Sequence, residues 1–171
     1  ADAGSASQAL ARRIEQAAGE AIKSHGRFLF VVSGGSSPRP LFQKLSSAPY
    51  RDTIDWSRTE FFWSDERCVP PDHPHSNYRM AKELLLEPLG VASDRVHRIP
   101  AELPSPEEAS REYAAEILRC LGGDARRLFD IMLLGLGEDS HTASLFPFTT
   151  ALHSAPSCAR GRENFSSRKN A

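Results

Sequence analysis

The sequence predicts an α/β protein in which a mostly parallel sheet is covered by helices on both faces, folded as one domain spanning residues 1–171. Short, β-rich runs recur along the chain, one of them wholly apolar. Each run ends in a glycine-rich or polar loop, and amphipathic segments of helical length stand between the runs. Strands of a parallel sheet are buried on both faces, so they read as unbroken apolar stretches rather than alternating ones. At 171 residues, the chain has an ordinary size for one cooperative core.

From Ser5 to Lys23, the residues Leu10, Ile14, Ala17, Ala18, Ala21 and Ile22 recur at helical spacing, and Gly26 stands just past the end as a stop. Phe28-Leu29-Phe30-Val31-Val32 reads as a buried strand that feeds Ser33-Gly34-Gly35-Ser36-Ser37-Pro38. A helix follows, with Ser37 as its cap, Pro38 in its first turn, and Leu41, Phe42 and Leu45 pointing inward. Thr59 to Trp63 is a second strand and Asp65 to His75 a polar loop. Ser76 then caps a helix over Asn77 to Leu86. Arg95 to Ile99 is a third strand. Ser105-Pro106-Glu107-Glu108 has the form of a capping box and opens a helix that carries Tyr113, Ile117, Cys120 and Leu121 inward, with Gly122-Gly123 as its stop. Phe129 to Leu134 is a fourth buried strand running into Gly135-Leu136-Gly137. From Phe148 to Ala171 no period is sustained, and an irregular tail is expected.

The charge balance, 21 Lys+Arg against 22 Asp+Glu for a net charge of −1, excludes both a disordered chain and a bulk basic nucleic-acid binder. No apolar run approaches the ~20 residues a bilayer crossing needs, and the first residues have no leader pattern, so a soluble, cytoplasmic protein is expected. Cys68, Cys120 and Cys158 are three in number, far apart and without a CxxC. That pattern indicates neither a zinc site nor a disulfide framework, and it fits a reducing compartment.

Three loops fall where ligand chemistry gathers in such folds, at the carboxyl ends of strands. Ser33 to Pro38 offers unhindered backbone N–H groups and three hydroxyls, a combination suited to a dianionic phosphate. The alternative is that the glycines merely let strand and helix pack closely. Asp65-Glu66-Arg67 brings charged side chains to a second loop, where Arg67 can fork onto phosphate or carboxylate oxygens. Alone, that triplet also reads as a solvated turn. Gly135-Leu136-Gly137-Glu138-Asp139-Ser140-His141 sets a group titrating near neutrality beside a carboxylate that can orient it, the makings of a general base. A lone loop histidine is more often structural, and Ser140 stands where a dinucleotide fingerprint would need its third glycine.

Taken together and in this order, Ser33 to Pro38, Asp65-Glu66-Arg67-Cys68-Val69-Pro70 with Ser76-Asn77-Tyr78, and Gly135 to Pro147 resemble the 6-phosphogluconolactonase family. Glucosamine-6-phosphate deaminases share the fold and the glycine-aspartate-histidine core. The Thr142-Ala143-Ser144-Leu145-Phe146-Pro147 stretch resembles the lactonases instead. The resemblance covers residues 5 to 147. It implies a Rossmann-like fold of the deaminase/isomerase type, no metal or other cofactor, and hydrolysis of 6-phospho-D-glucono-1,5-lactone to 6-phospho-D-gluconate in the oxidative pentose phosphate pathway. By resemblance, His141 is the general base and Asp139 orients it or holds a sugar hydroxyl. Gly34, Gly35, Ser36 and Ser37 cradle the phosphate, with Arg67 supplying positive charge, and Asp65 and Ser140 are further substrate contacts. Backbone N–H groups around Gly135 to Ser140 are candidate oxyanion donors.

Two departures bear on activity. The family's glycine between Asp and His is Ser140 here, which strains the loop if that position needs positive φ. The family also continues past Phe-Pro through further strands, with an Arg and a Lys on the substrate phosphate, and begins with a strand before the first helix. Nothing from Phe148 to Ala171, nor at the start, matches, so the sheet is expected to be incomplete, most clearly toward the C-terminus. The alternatives kept are an amino-sugar phosphate deaminase or isomerase, and a non-catalytic sugar-phosphate-binding module. A phosphosugar lactone is the expected partner, with neither nucleic acid nor membrane, as monomer or homodimer.

Overall fold

The computed structural model describes residues 3–123, 129–137, 139–149 and 152. Apart from Phe148, Thr149 and Leu152, the expected irregular tail lies outside the described residues. The chain opens with α1 (Ala3–His25), whose Ala11, Ile14, Ala17, Ala18 and Ala21 are buried. Small side chains at helical spacing let this helix lie close on the sheet, and Gly26, at φ +85°, ends it in the left-handed conformation that a stop requires. Next come β1 (Phe28–Val32), α2 (Arg39–Leu45), α3 (Tyr50–Thr53) and β2 (Thr59–Trp63). Then follow α4 (Asn77–Ala81), α5 (Glu87–Leu89), β3 (Val96–His97), α6 (Pro106–Cys120) and β4 (Ile131–Met132).

The four strands pair in the order β3-β2-β1-β4, all parallel. Phe28 stands opposite Thr59 and Val32 opposite Trp63, so the two central strands are in register along their whole length. Alternation along them divides the core in two. Phe28, Phe30, Val32, Phe61 and Trp63 pack with α1, α2 and the helix after Ser76. Leu29, Val31 and Phe62 pack with Ile117, Cys120 and Leu121 of the α6 side. Helices therefore cover both faces, as the unbroken apolar runs require. Among the described residues no helix is long and apolar enough to cross a membrane.

Three local expectations are corrected. Ser37 does not cap α2: Pro38 occupies the cap position, no side chain bonds there, and the helix begins at Arg39. A second proline, Pro40, lies within the first turn, where its missing N–H goes unnoticed. The helix after Ser76 passes Leu86 to Leu89, through a π-helical turn at Lys82–Leu86. Pro88 follows that turn directly, and a proline crowds the carbonyl four residues back, which widens the coil there. β3 and β4 are two residues each rather than five or six, and β4 is not buried: Met132 is 47% and Leu134 57% exposed. In the four-stranded sheet β4 is an edge.

Candidate active site

The loops after β1, β2 and β4 leave the same edge of the sheet, because parallel neighbours present their carboxyl ends together. Side-chain contacts then draw them into one group. The loop after β1 approaches the N-terminus of α4 so closely that a Cβ on Gly34 would lie 1.9 Å from Asn77 Oδ1. Asn77 Nδ2 in turn donates to the Asp65 carbonyl at 3.1 Å. Asp65, 9% exposed, accepts the Ser144 hydroxyl on Oδ2 at 3.0 Å, which ties the loop after β2 to the histidine loop.

Both readings of the glycine pair hold at different positions. Gly34 is required by the close approach of Asn77, whereas Gly35 takes φ +84°, a backbone conformation that only glycine adopts at little cost. The amides of Gly34, Gly35, Ser36 and Ser37 donate to no other described residue, and Ser36 and Ser37 are exposed. Unpaired N–H groups in a strand-end turn form a concavity suited to an anion.

The Asp65-Glu66-Arg67 triplet divides its roles. Glu66 does not face a ligand: its Oε1 accepts from the amides of Arg67 and Asn77, both at 2.7 Å, and its Oε2 accepts from Tyr78 N at 2.8 Å and Ser76 Oγ at 3.0 Å. With Ser76 Oγ taking the Arg79 amide, these bonds satisfy donors that the first turn of α4 cannot pair internally. The Arg67 side chain is exposed and makes no hydrogen bond or ion pair among the described residues, so its guanidinium is free to meet an anion.

His141 sits in a closed turn. Gly137 N donates to the His141 carbonyl at 2.8 Å and Ser140 N to the Gly137 carbonyl at 3.0 Å. The imidazole Nδ1 hydrogen-bonds Asp139 Oδ1, and the ring lies against Phe146 with centroids 4.6 Å apart. It passes directly over Gly137, where a Cβ would stand 2.1 Å from its Cε1 and 2.2 Å from its Nδ1. The hydrogen bond from His141 holds the Asp139 carboxyl below the usual carboxylate range. An ionised carboxylate only accepts, so a neutral imidazole here carries its proton on Nδ1 and leaves the Nε2 lone pair without a partner among the described residues. Two of the candidate oxyanion amides, Gly137 and Ser140, are turned into the loop and bonded there. Ser140 has φ +68°, so the condition raised from the sequence holds, and a non-glycine residue occupies a left-handed position here.

Of the residues singled out in the sequence, Asp139, Ser140 and His141 share one turn, Asp65 is bonded to the same loop, and Gly34 reaches Asp65 through Asn77. Sequence reasoning counted Asn77 and Phe146 only as members of longer motifs, without a role of their own, and did not see Glu66 as a helix clamp. Only Phe146 had a local signal, standing five residues after the histidine.

Fold and site define a doubly wound α/β protein with its polar groups gathered at the carboxyl ends of parallel strands. The chain belongs to the glucosamine-6-phosphate isomerases/6-phosphogluconolactonase family, whose model matches residues 1–167. It is 42% identical over 138 residues to the 6-phosphogluconolactonase of Treponema pallidum, an alignment covering 80% of this chain and 56% of that protein. Among solved structures, a 6-phosphogluconolactonase from Shewanella baltica matches with a TM-score of 0.75 at 34% identity, over 89% of this chain and 61% of that one. The Thermotoga maritima 6-phosphogluconolactonase matches with a TM-score of 0.70 at 32% identity, over 81% and 59%. The chain thus spans about half the length of the curated relatives it matches.

Proposed function

We propose that the protein opens 6-phospho-D-glucono-1,5-lactone by water, giving 6-phospho-D-gluconate. The observation that carries this is the Asp139–His141 pair seated over Gly137, which leaves Nε2 unbonded as a base in a loop tied to the one after β2. In the reaction, Nε2 takes a proton from water as the oxygen attacks C1, and the same imidazolium returns a proton to the departing ring oxygen. One group serves both steps because an imidazole can take up and release a proton at the same nitrogen. Asp139 fixes the tautomer and stabilises the transient positive charge. The amides of Gly34, Gly35, Ser36 and Ser37 would hold the phosphate, with Arg67 supplying charge against it. Asp65 and Ser140 lie beside the sugar in this reading. The product belongs to the oxidative pentose phosphate pathway and the protein to the cytoplasm.

The test is ring opening of the lactone against its spontaneous rate. Wild-type protein should exceed that rate, and His141→Ala should lower kcat by ~10²–10⁴-fold, the usual worth of a general base. Ammonia release from glucosamine 6-phosphate would instead mark a deaminase. Saturable binding of 6-phosphogluconate without turnover would mark a binding module.

A further inference from the structure

On the opposite side of β2 from Trp63, three side chains that no part of the proposed chemistry uses converge under α6. His97, at the end of β3, is 8% exposed and stacks on Phe62, with centroids 4.7 Å apart and planes 21° from parallel. Its Nδ1 lies 2.6 Å from Glu116 Oε1 and its Nε2 3.0 Å from Glu60 Oε2. Cys120, one turn beyond Glu116 on α6, places Sγ 3.5 Å from Nδ1, 3.6 Å from Nε2 and 3.7 Å from Glu116 Oε1. The ligating atoms of His97, Glu116 and Cys120 all fall within 4.8 Å of one another.

We infer that His97 Nδ1, Glu116 Oε1 and Cys120 Sγ form a binding site for one zinc-class divalent cation, with solvent as the fourth ligand. Tetrahedral zinc with Zn–S of about 2.3 Å and Zn–N and Zn–O of about 2.0–2.2 Å sets its sulfur about 3.6 Å from nitrogen or oxygen, and its nitrogen about 3.4 Å from oxygen. The two sulfur edges, 3.5 and 3.7 Å, have the right lengths, although Sγ is equally near Nε2, at 3.6 Å, and so stands over the ring rather than along the Nδ1 lone pair. The nitrogen–oxygen edge of 2.6 Å must open by about 0.8 Å. Glu116 can make that movement because its side chain is 27% exposed. Rotation about the Cys120 Cα–Cβ bond must then carry sulfur from over the ring to its Nδ1 side, a movement open to a side chain that is only partly buried.

The surroundings are those of a metal-bound imidazole. A ligating histidine characteristically donates its second N–H to a carboxylate, which fixes its orientation and raises its basicity. Here Nε2 faces Glu60, and Glu60 is itself held by Arg95 at 2.7 Å. The donor set of thiolate, imidazole and carboxylate suits zinc rather than magnesium or calcium, which prefer oxygen alone. Uptake of the cation displaces the thiol proton of Cys120 and replaces the direct contact between His97 and Glu116. The bound ion would then tie α6 to β3 beneath the sheet, apart from the loops that carry His141.

Cobalt(II) titration of the chelator-treated protein, with the double variant Cys68→Ser/Cys158→Ser as background, reports the site directly. We expect one equivalent of cobalt, a thiolate-to-cobalt absorption band and tetrahedral d–d bands, all displaced by zinc. Cys120→Ser, which is nearly isosteric, should abolish the thiolate band while circular dichroism stays unchanged. Glu60→Gln should weaken binding by about 10–100-fold, as loss of such a supporting carboxylate does. The inference is overturned by absence of a thiolate band, by a band that survives Cys120→Ser, or by metal uptake that disappears only when His73 and His75 are replaced. In each of those cases the cluster is a hydrogen-bonded charge network alone.

Discussion

Replacing Gly137 by alanine tests the geometry on which the proposed catalysis depends. The added Cβ would meet His141 Cε1 at 2.1 Å, whereas ordinary contact begins near 3.4 Å, so the ring must retreat by about 1.3 Å. Asp139 Oδ1, 2.9 Å from the same Cβ, has little room to follow, and the bond fixing the imidazole is pulled apart. A displacement of that order at a reacting group lowers rates by about 10²-fold. Gly137 is not in the left-handed region, so the cost to stability comes from the displaced ring and its lost bond to Asp139, about 1 kcal/mol. The assay is continuous lactone hydrolysis corrected for spontaneous opening, with kcat and KM separated. We expect kcat to fall toward that of His141→Ala with KM nearly unchanged. Wild-type kcat in Gly137→Ala would refute the idea that the seated imidazole is the working base.

Ser140→Gly should remove left-handed strain and raise stability by about 1 kcal/mol in urea unfolding, with activity retained, since φ +68° suits glycine. Glu66→Ala should lower stability by about 2 kcal/mol, because four donors around the start of α4 lose a charged acceptor; a loss below 0.5 kcal/mol would contradict the clamp. Gly19→Ala, in an exposed position inside α1 with nothing near its Cβ, should stabilise by about 0.5–1 kcal/mol, read as a higher Tm. The pH behaviour of Asp139 follows from its depressed folded pKa. Its bond to His141 supports the loop throughout the range above the ordinary carboxylate value and is lost only as pH falls through the lower folded one. A carboxyl carbon NMR titration should place Asp139 below the ordinary range and return it there in His141→Ala.

The Phe28–Val32 and Thr59–Trp63 runs announced the two central strands to the residue, the first because burial on both faces favours an unbroken apolar stretch, the second through its Phe61-Phe62-Trp63 cluster. The edge strands were drawn too long. Ladder pairing ends where a neighbour ends, and nothing in Arg95 to Ile99 or Phe129 to Leu134 encodes that limit. At the site, local chemistry identified what neighbours in sequence do to each other: Asp139 with His141, Ser76 with Arg79, and the left-handed turn at Ser140.

What the sequence by itself determined was the alternation of buried strands and amphipathic helices, and with it the edge of the sheet where three polar loops emerge. Contacts between residues distant along the chain were decided by the tertiary structure alone. Ser144 reaches Asp65 across 79 positions, Glu66 reaches the α4 amides across 11 and 12, and His97 finds Glu116 across 19. The physical reason is that periodicity and capping are short-range effects, written within a turn or two of chain. Hydrogen bonds between loops exist only after burial of the two central strands has brought the ends of separate strands to within a few ångströms of each other.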